Sequence, residues 1–176
     1  MIYLGIALLI IAIIAIVIYN GLVSLRNKVK EAYSTMDVYL KRRYDLVPEL
    51  VSVVKGYASH EATTLEDIVK TRSGSELKDQ LDHETKIGDA LFKVLAVVEK
   101  YPDLKANENF LDLQNKLTTI EDDIAFSRRY YNGSVREFNN KCETFPSNLI
   151  AGIFNFHSMP MFAATESERK VQDINI

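Results

Sequence analysis

The amino-acid sequence predicts an all-α protein, with an N-terminal transmembrane helix followed by an antiparallel helical bundle of the four-helix type. Three observations predict it. Residues 1–25 carry no charged side chain. Apolar residues then recur at steps of three and four, the period of helices with one buried face. Finally, the 176 residues include only seven glycines and four prolines, a composition typical of long helices.

Residues 1–25 are predicted to be a single transmembrane anchor, so the lipid bilayer is the first expected partner. A helix rises about 1.5 Å per residue, and about 20 apolar residues cross the hydrocarbon core. A signal peptide needs a basic start and a small-x-small cleavage site. Nothing basic precedes this run, and Ala12 and Ala15 have the wrong spacing. We therefore expect an uncleaved anchor.

The basic residues nearest the anchor all follow it, at Arg26, Lys28 and Lys30. Lysine and arginine beside a span favour the cytoplasmic side. The sequence therefore predicts an outside N-terminus and a cytoplasmic C-terminal domain. The single cysteine, Cys142, excludes an intrachain disulfide and fits a reducing compartment.

Residues 26–162 are predicted to form the cytoplasmic bundle. Its first apolar stripe continues from the anchor through Leu22, Leu25, Val29, Ala32, Met36 and Leu40. Pro48 interrupts the pattern, because proline lacks a backbone N–H and disfavours the α conformation before it. We expect a turn near Tyr44–Pro48 with Asp45 as the next N-cap. The alternative is a kinked, continuous helix.

Further along the chain, Thr71–Ser75 is predicted to be a loop. A further apolar stripe runs from Leu77 to Tyr101, and Pro102 is expected to end it. From Phe110 onwards, apolar and small residues alternate at three- and four-residue steps over four heptads, which is typical of a coiled-coil-like helix. Pro146 is expected to terminate it.

The uncharged segment 145–162 is irregular and rich in phenylalanine. We expect it to be a strap that closes the bundle, with a membrane-surface or partner-binding segment as the alternative. Residues 163–176 are predicted to be a polar, flexible tail.

A charged cluster is the candidate site that the sequence offers. Glu121 and Arg128 lie two helical turns apart and share a face, and the arginine pair after Leu40 could approach them from another helix. Buried arginine needs partners, so we expect a polar network, with an anion site as the alternative. The candidate residues are Arg42, Arg43, Arg128, Arg129, Asp37, Asp45 and Glu121.

No motif predicts catalysis, a metal or a cofactor. The pairs His60–Glu61 and His83–Glu84 do not extend to HExxH, and Cys142 follows an apolar stripe as small core residues do. A net charge of −3 argues against nucleic-acid binding. We expect no enzymatic activity.

Four strings resemble the LemA family of bacterial membrane proteins. They are YNGLVSLRNKVKEAYSTMDVYLKRRYDLVPELVSVVKGYASHE (Tyr19–Glu61), EKYPDLKANENFLDLQNKL (Glu99–Leu117), IEDDIAFSRRYYNGSVREFNN (Ile120–Asn140) and FPSNLIAGIFNF (Phe145–Phe156). The resemblance implies a one-span anchor in the bacterial cell membrane and a cytoplasmic bundle of the four-helix type. The family that it resembles has no established enzymatic activity, so the resemblance supports the fold and says little about the function.

Together these features favour a non-catalytic, membrane-anchored scaffold that presents a helical bundle to unidentified protein partners or to copies of itself. The alternative is a membrane-linked sensor or regulator that binds an anion or lipid headgroup at the arginine-rich cluster.

Overall fold

The computed structural model describes residues 2–57, 91, 94 and 96–162, and this part of the chain is helical without a strand. The helices are α1 (Ile2–Tyr57), α2 (Pro102–Lys105), α3 (Glu108–Glu143) and α4 (Ser147–Ile153), and residues 91, 94 and 96–98 are also helical. The all-α prediction is confirmed. The predicted loop at Thr71–Ser75 and the predicted tail at 163–176 lie outside the described residues.

The first part of α1 has an apolar surface that nothing covers. Every large apolar side chain from Ile2 to Val17 is exposed, and burial begins with Leu22. Within the described residues, α1 is the one helix long and apolar enough to cross a membrane. Its apolar window is unburied, unlike the core helix of a soluble protein.

The turn expected at Pro48 is wrong, because α1 continues through this residue to Tyr57. Asp45 is therefore inside the helix rather than at an N-cap. Val47 and Val51 are buried while Pro48 is exposed, so the helix packs into the core on the face next to the proline. That burial offsets the cost of the missing backbone hydrogen bond.

The chain divides into two compact units, and the first combines Met1–Val38 with Ile124–Phe162. Here the Lys28 ammonium lies 2.8 Å from the Glu137 carboxylate, and the rings of Tyr33 and Tyr131 are 6.0 Å apart. The later residue of α1, Tyr33, contacts the earlier residue of α3, Tyr131, so the two helices are antiparallel within this unit. The buried residues include Leu22, Val29, Ala32, Met36, Ile124, Val135 and Phe138.

The described part of the second unit lies within Tyr39–Asp123. Its core packs Leu50 and Val54 of α1 against Val94, Leu104 and Phe110. Helix α3 begins in this unit. The Asn107 side chain caps it by accepting a 3.0 Å hydrogen bond from the Phe110 N–H, and donates to the Tyr57 hydroxyl at 2.9 Å.

The apolar stripe predicted for the long helix is the buried face of α3. Its buried members are Phe110, Leu113, Ile124, Ser127, Tyr131, Ser134, Phe138 and Cys142. The helix begins two residues before the predicted Phe110 and ends before Pro146.

Candidate functional site

In the second unit, two members of the predicted charged cluster are paired. The Arg43 guanidinium donates from Nη1 to both carboxylate oxygens of Glu121, at 2.8 and 3.0 Å. The arginine side chain is 5 % exposed, whereas that of Glu121 is 42 % exposed. A buried cation is costly without a partner, so Glu121 compensates a charge inserted between α1 and α3.

The other members in this unit face solvent. Asp45 accepts a 3.2 Å salt bridge from Lys41 one helical turn earlier, and both side chains are largely exposed. The Arg42 guanidinium carbon lies 5.6 Å from the centre of the Tyr39 ring. Both contacts lie within α1 and are of the kind that contribute little to stability.

The remaining candidates belong to the first unit. The Arg128 guanidinium carbon lies 4.8 Å from the centre of the Phe162 ring and is half-buried, a cation–π contact. Arg129 and Asp37 are exposed. Thus Arg43 meets Glu121, and Arg128 meets an aromatic ring. A single network of all seven residues would span both units and stays a prediction.

Two asparagines of α3, which no sequence pattern singled out, hold segment 156–162 against this helix. The Asn139 amide donates to the Met159 carbonyl at 2.9 Å, and its oxygen accepts from the Met159 N–H at 2.8 Å. Asn132 makes the same two bonds with Phe162, at 2.9 and 2.7 Å. Each side chain therefore satisfies the backbone N–H and C=O of one residue of the segment.

Further contacts hold the same segment. The Tyr131 hydroxyl donates to the Pro160 carbonyl at 3.0 Å, and the Ser158 hydroxyl to the Glu143 carboxylate at 2.8 Å. Burial raises the pKa of Tyr131, in keeping with a protonated phenol that donates. This part of the predicted strap thus packs on α3.

Phe156 is the apolar centre of the strap. Its buried ring lies 5.8 Å from Tyr19 and 6.3 Å from Phe138, and the Arg26 guanidinium carbon is 5.0 Å from its centre. A left-handed residue at the end of α4, Asn155 with φ 57°, turns the chain toward this position.

The turn after α4 is a Schellman motif. The Phe156 N–H donates to the Ala151 carbonyl at 2.9 Å, and the Asn155 N–H to the Gly152 carbonyl at 3.5 Å. Asparagine is among the few residues other than glycine that adopt a left-handed conformation at low cost.

The pKa values of Lys28, Glu137 and Cys142 are also shifted from their ordinary values. The salt bridge with Glu137 raises the pKa of Lys28, and the same hydrogen bond lowers the pKa of the Glu137 carboxyl. Burial raises the pKa of the Cys142 thiol, which disfavours the nucleophilic thiolate. Within the described residues, no three histidine, cysteine or acidic side chains are grouped as metal ligands would be.

The chain is similar to known proteins over most of its length. The model of the LemA family matches residues 32–176. Protein LemA of Metamycoplasma hominis is 32% identical over 85% of this chain and 71% of its own length. Magnetosome protein MamQ 2 of Paramagnetospirillum magneticum is 24% identical, and Magnetosome protein MamQ of Magnetospirillum gryphiswaldense 22%, each over 82% of this chain.

This chain spans 64% of the length of each of these two magnetosome proteins. The uncharged run of residues 1–25 precedes the range that the family model matches. The match from residue 32 onwards contains the Arg43–Glu121 pair, the two asparagines and the strap that they hold. The chain belongs to the LemA family.

Proposed function

We propose that this protein is a non-catalytic scaffold of the bacterial cell membrane, with residues 1–25 as its anchor and residues 26–162 as a cytoplasmic four-helix bundle. The observation that carries the proposal is the continuity of α1. One helix passes from a fully exposed apolar surface to a packed one, with no break between them. The anchor therefore holds the membrane-proximal part of the bundle directly rather than through a flexible linker.

A scaffold needs a surface for partners, and the first unit offers one on α3. Phe126 is 65% exposed and Tyr130, one helical turn later, 43% exposed. Exposed aromatic residues are the type that most often anchors protein–protein contacts. The surface of Phe126 and Tyr130 suits a second copy of this chain or another membrane protein.

The charged residues favour a structural role over the anion-binding alternative. Arg43 is directed at Glu121, and Arg128 at Phe162. A group that already faces a carboxylate is a poor anion receptor, because the anion would have to displace that carboxylate.

Site-specific photocrosslinking of the full chain in living bacteria tests the scaffold. A benzophenone amino acid replaces Tyr130, and in a control chain it replaces the exposed residue Arg136. The scaffold predicts reproducible links to copies of this chain or to one membrane protein from position 130. The change Phe126→Ala should reduce them. Only unlinked monomer, with equal membrane levels of both chains, would contradict the scaffold.

A further inference from the structure

Helix α4 has its apolar side chains on the wrong face for a helix of a soluble protein. Its buried face consists of the small residues Ser147 and Ala151. Large apolar side chains point outward instead, with Leu149 58% and Ile153 73% exposed. Phe145 and Phe154, just before and after the helix, are 79% and 54% exposed. Exposing a contiguous apolar patch of this kind to water is energetically unfavourable.

The position of α4 places this patch beside the anchor. The Phe154 ring lies 4.7 Å from that of Tyr19. On α1, Tyr19 follows Val17, the last exposed apolar side chain of the uncharged N-terminal run, and precedes the first charged residue, Arg26, by about 10 Å along the axis. Tyrosine at such a point occupies the interface between hydrocarbon and water. Phe154 must therefore lie at the same depth.

The chemistry of the segment suits the same environment. Residues 145–162 contain no lysine, arginine, aspartate or glutamate. Charged side chains resume on the neighbouring helices, where Arg26 covers Phe156 and Glu143 binds Ser158. Beyond α4 the strap returns along α3 from Asn139 to Asn132, away from the Tyr19 end of α1.

We propose that α4 lies in the membrane interface beside the anchor, with Phe145, Leu149, Ile153 and Phe154 inserted among the lipid acyl chains. This inference rests on the proposed anchoring by α1, because the bilayer surface is what covers the patch. The protein then holds the membrane at two places, the spanning part of α1 and the interfacial helix α4. Two contacts fix the tilt of the domain on the membrane, which a single span leaves open.

Tryptophan fluorescence tests this, because the chain contains no tryptophan. Leu149→Trp, Ile10→Trp and Phe126→Trp each give the full chain one fluorophore at an exposed apolar position. Each variant is reconstituted into vesicles of phosphatidylcholine and phosphatidylglycerol, with and without bromine on the acyl chains. Bromine quenches only fluorophores within the hydrocarbon region.

We expect strong quenching at positions 149 and 10 and little at 126, where an equally exposed apolar residue lies on α3. Quenching at 10 but not at 149 would overturn the interfacial helix and leave the anchor intact. Absence of quenching at both 10 and 149 would contradict the anchor as well. Circular dichroism checks the helix content of each variant, and Ile153→Trp repeats the measurement on the same face.

Discussion

Asn132 and Asn139 lie seven residues apart on α3 and bind residues three apart on the strap, Phe162 and Met159. Seven helical residues rise about 10.5 Å, and three extended residues span about 10 Å. The two spacings match, so one face of α3 can present an amide to both strap residues without distortion. The side chains of Asn132 and Asn139, which we call the asparagine ladder, thus provide the donors and acceptors that bind the backbone of the strap to the surface of α3.

Asn139→Ala should destabilise the strap. The change removes two hydrogen bonds and leaves the Met159 backbone groups without these partners, at a cost of about 1–3 kcal/mol. Hydrogen exchange of the full chain in detergent micelles should show faster exchange at Met159. Asn140→Ala is the matched control, because Asn140 is exposed on the same helix. Equal exchange in the two variants would contradict the ladder.

Arg43→Ala should lower the unfolding free energy by about 2–4 kcal/mol, because a cavity opens where the nearly buried Arg43 side chain packs and its hydrogen bonds to Glu121 are lost. Thermal melting followed by circular dichroism measures the loss. Arg42→Ala is the neighbouring control and should change stability by less than about 1 kcal/mol. Similar losses in both variants would mean that buried, paired Arg43 contributes no more to the unfolding free energy than exposed Arg42.

Pro48→Ala should stabilise the protein by about 1–3 kcal/mol. In a continuous helix the proline costs a hydrogen bond and crowds the preceding turn, and its exposed ring gives little packing in return. A rise in melting temperature relative to Glu49→Ala, an exposed neighbour, is the expected result. A loss of stability would point to a turn at this position.

Cys142 should react slowly with maleimides in the folded chain. Its thiol is buried, and burial raises its pKa above the ordinary 9.0, so less thiolate is present at pH 8 than in an exposed cysteine. The control is Arg136→Cys in a Cys142→Ser chain, where the thiol is on an exposed surface. Rates followed by mass spectrometry should differ strongly in the folded state and converge in denaturant.

The same shift links stability to alkaline pH. The folded state keeps the Cys142 proton more tightly than the unfolded state, so its contribution is full below pH 9 and declines above it. Cys142→Ser should therefore flatten the fall in melting temperature above pH 9. An unchanged slope would show that the thiol titrates alike in both states.

The apolar stripes predict the helices because residues on the buried face of a helix recur every three or four positions, close to its 3.6-residue turn. Eight of the nine buried residues of α3 follow the alternation that begins at Phe110, and the ninth is Val135. Local propensity disfavours proline in a helix and so predicts a turn at Pro48, whereas packing of Val47 and Val51 outweighs that propensity. Burial around a proline depends on residues distant in sequence.

The candidate site was harder to predict for the same reason. The predicted charged cluster includes both Arg43 and Glu121, yet their pairing depends on the register of α1 against α3. Asn132 and Asn139 are common surface residues with no periodic signal unless the strap is known to lie on them. Their spacing of seven, together with the uncharged segment after Pro146, is the one sign that the sequence contains.

Labelling from outside the cell tests the central claim, a cytoplasmic domain held to the membrane by α1, most directly. The full chain carrying Cys142→Ser and Arg136→Cys is treated with a membrane-impermeant maleimide in intact and in permeabilised bacteria. We predict that the protein stays in the membrane fraction and is labelled only after permeabilisation. Labelling in intact cells, or recovery of the full chain in the soluble fraction, would contradict the account.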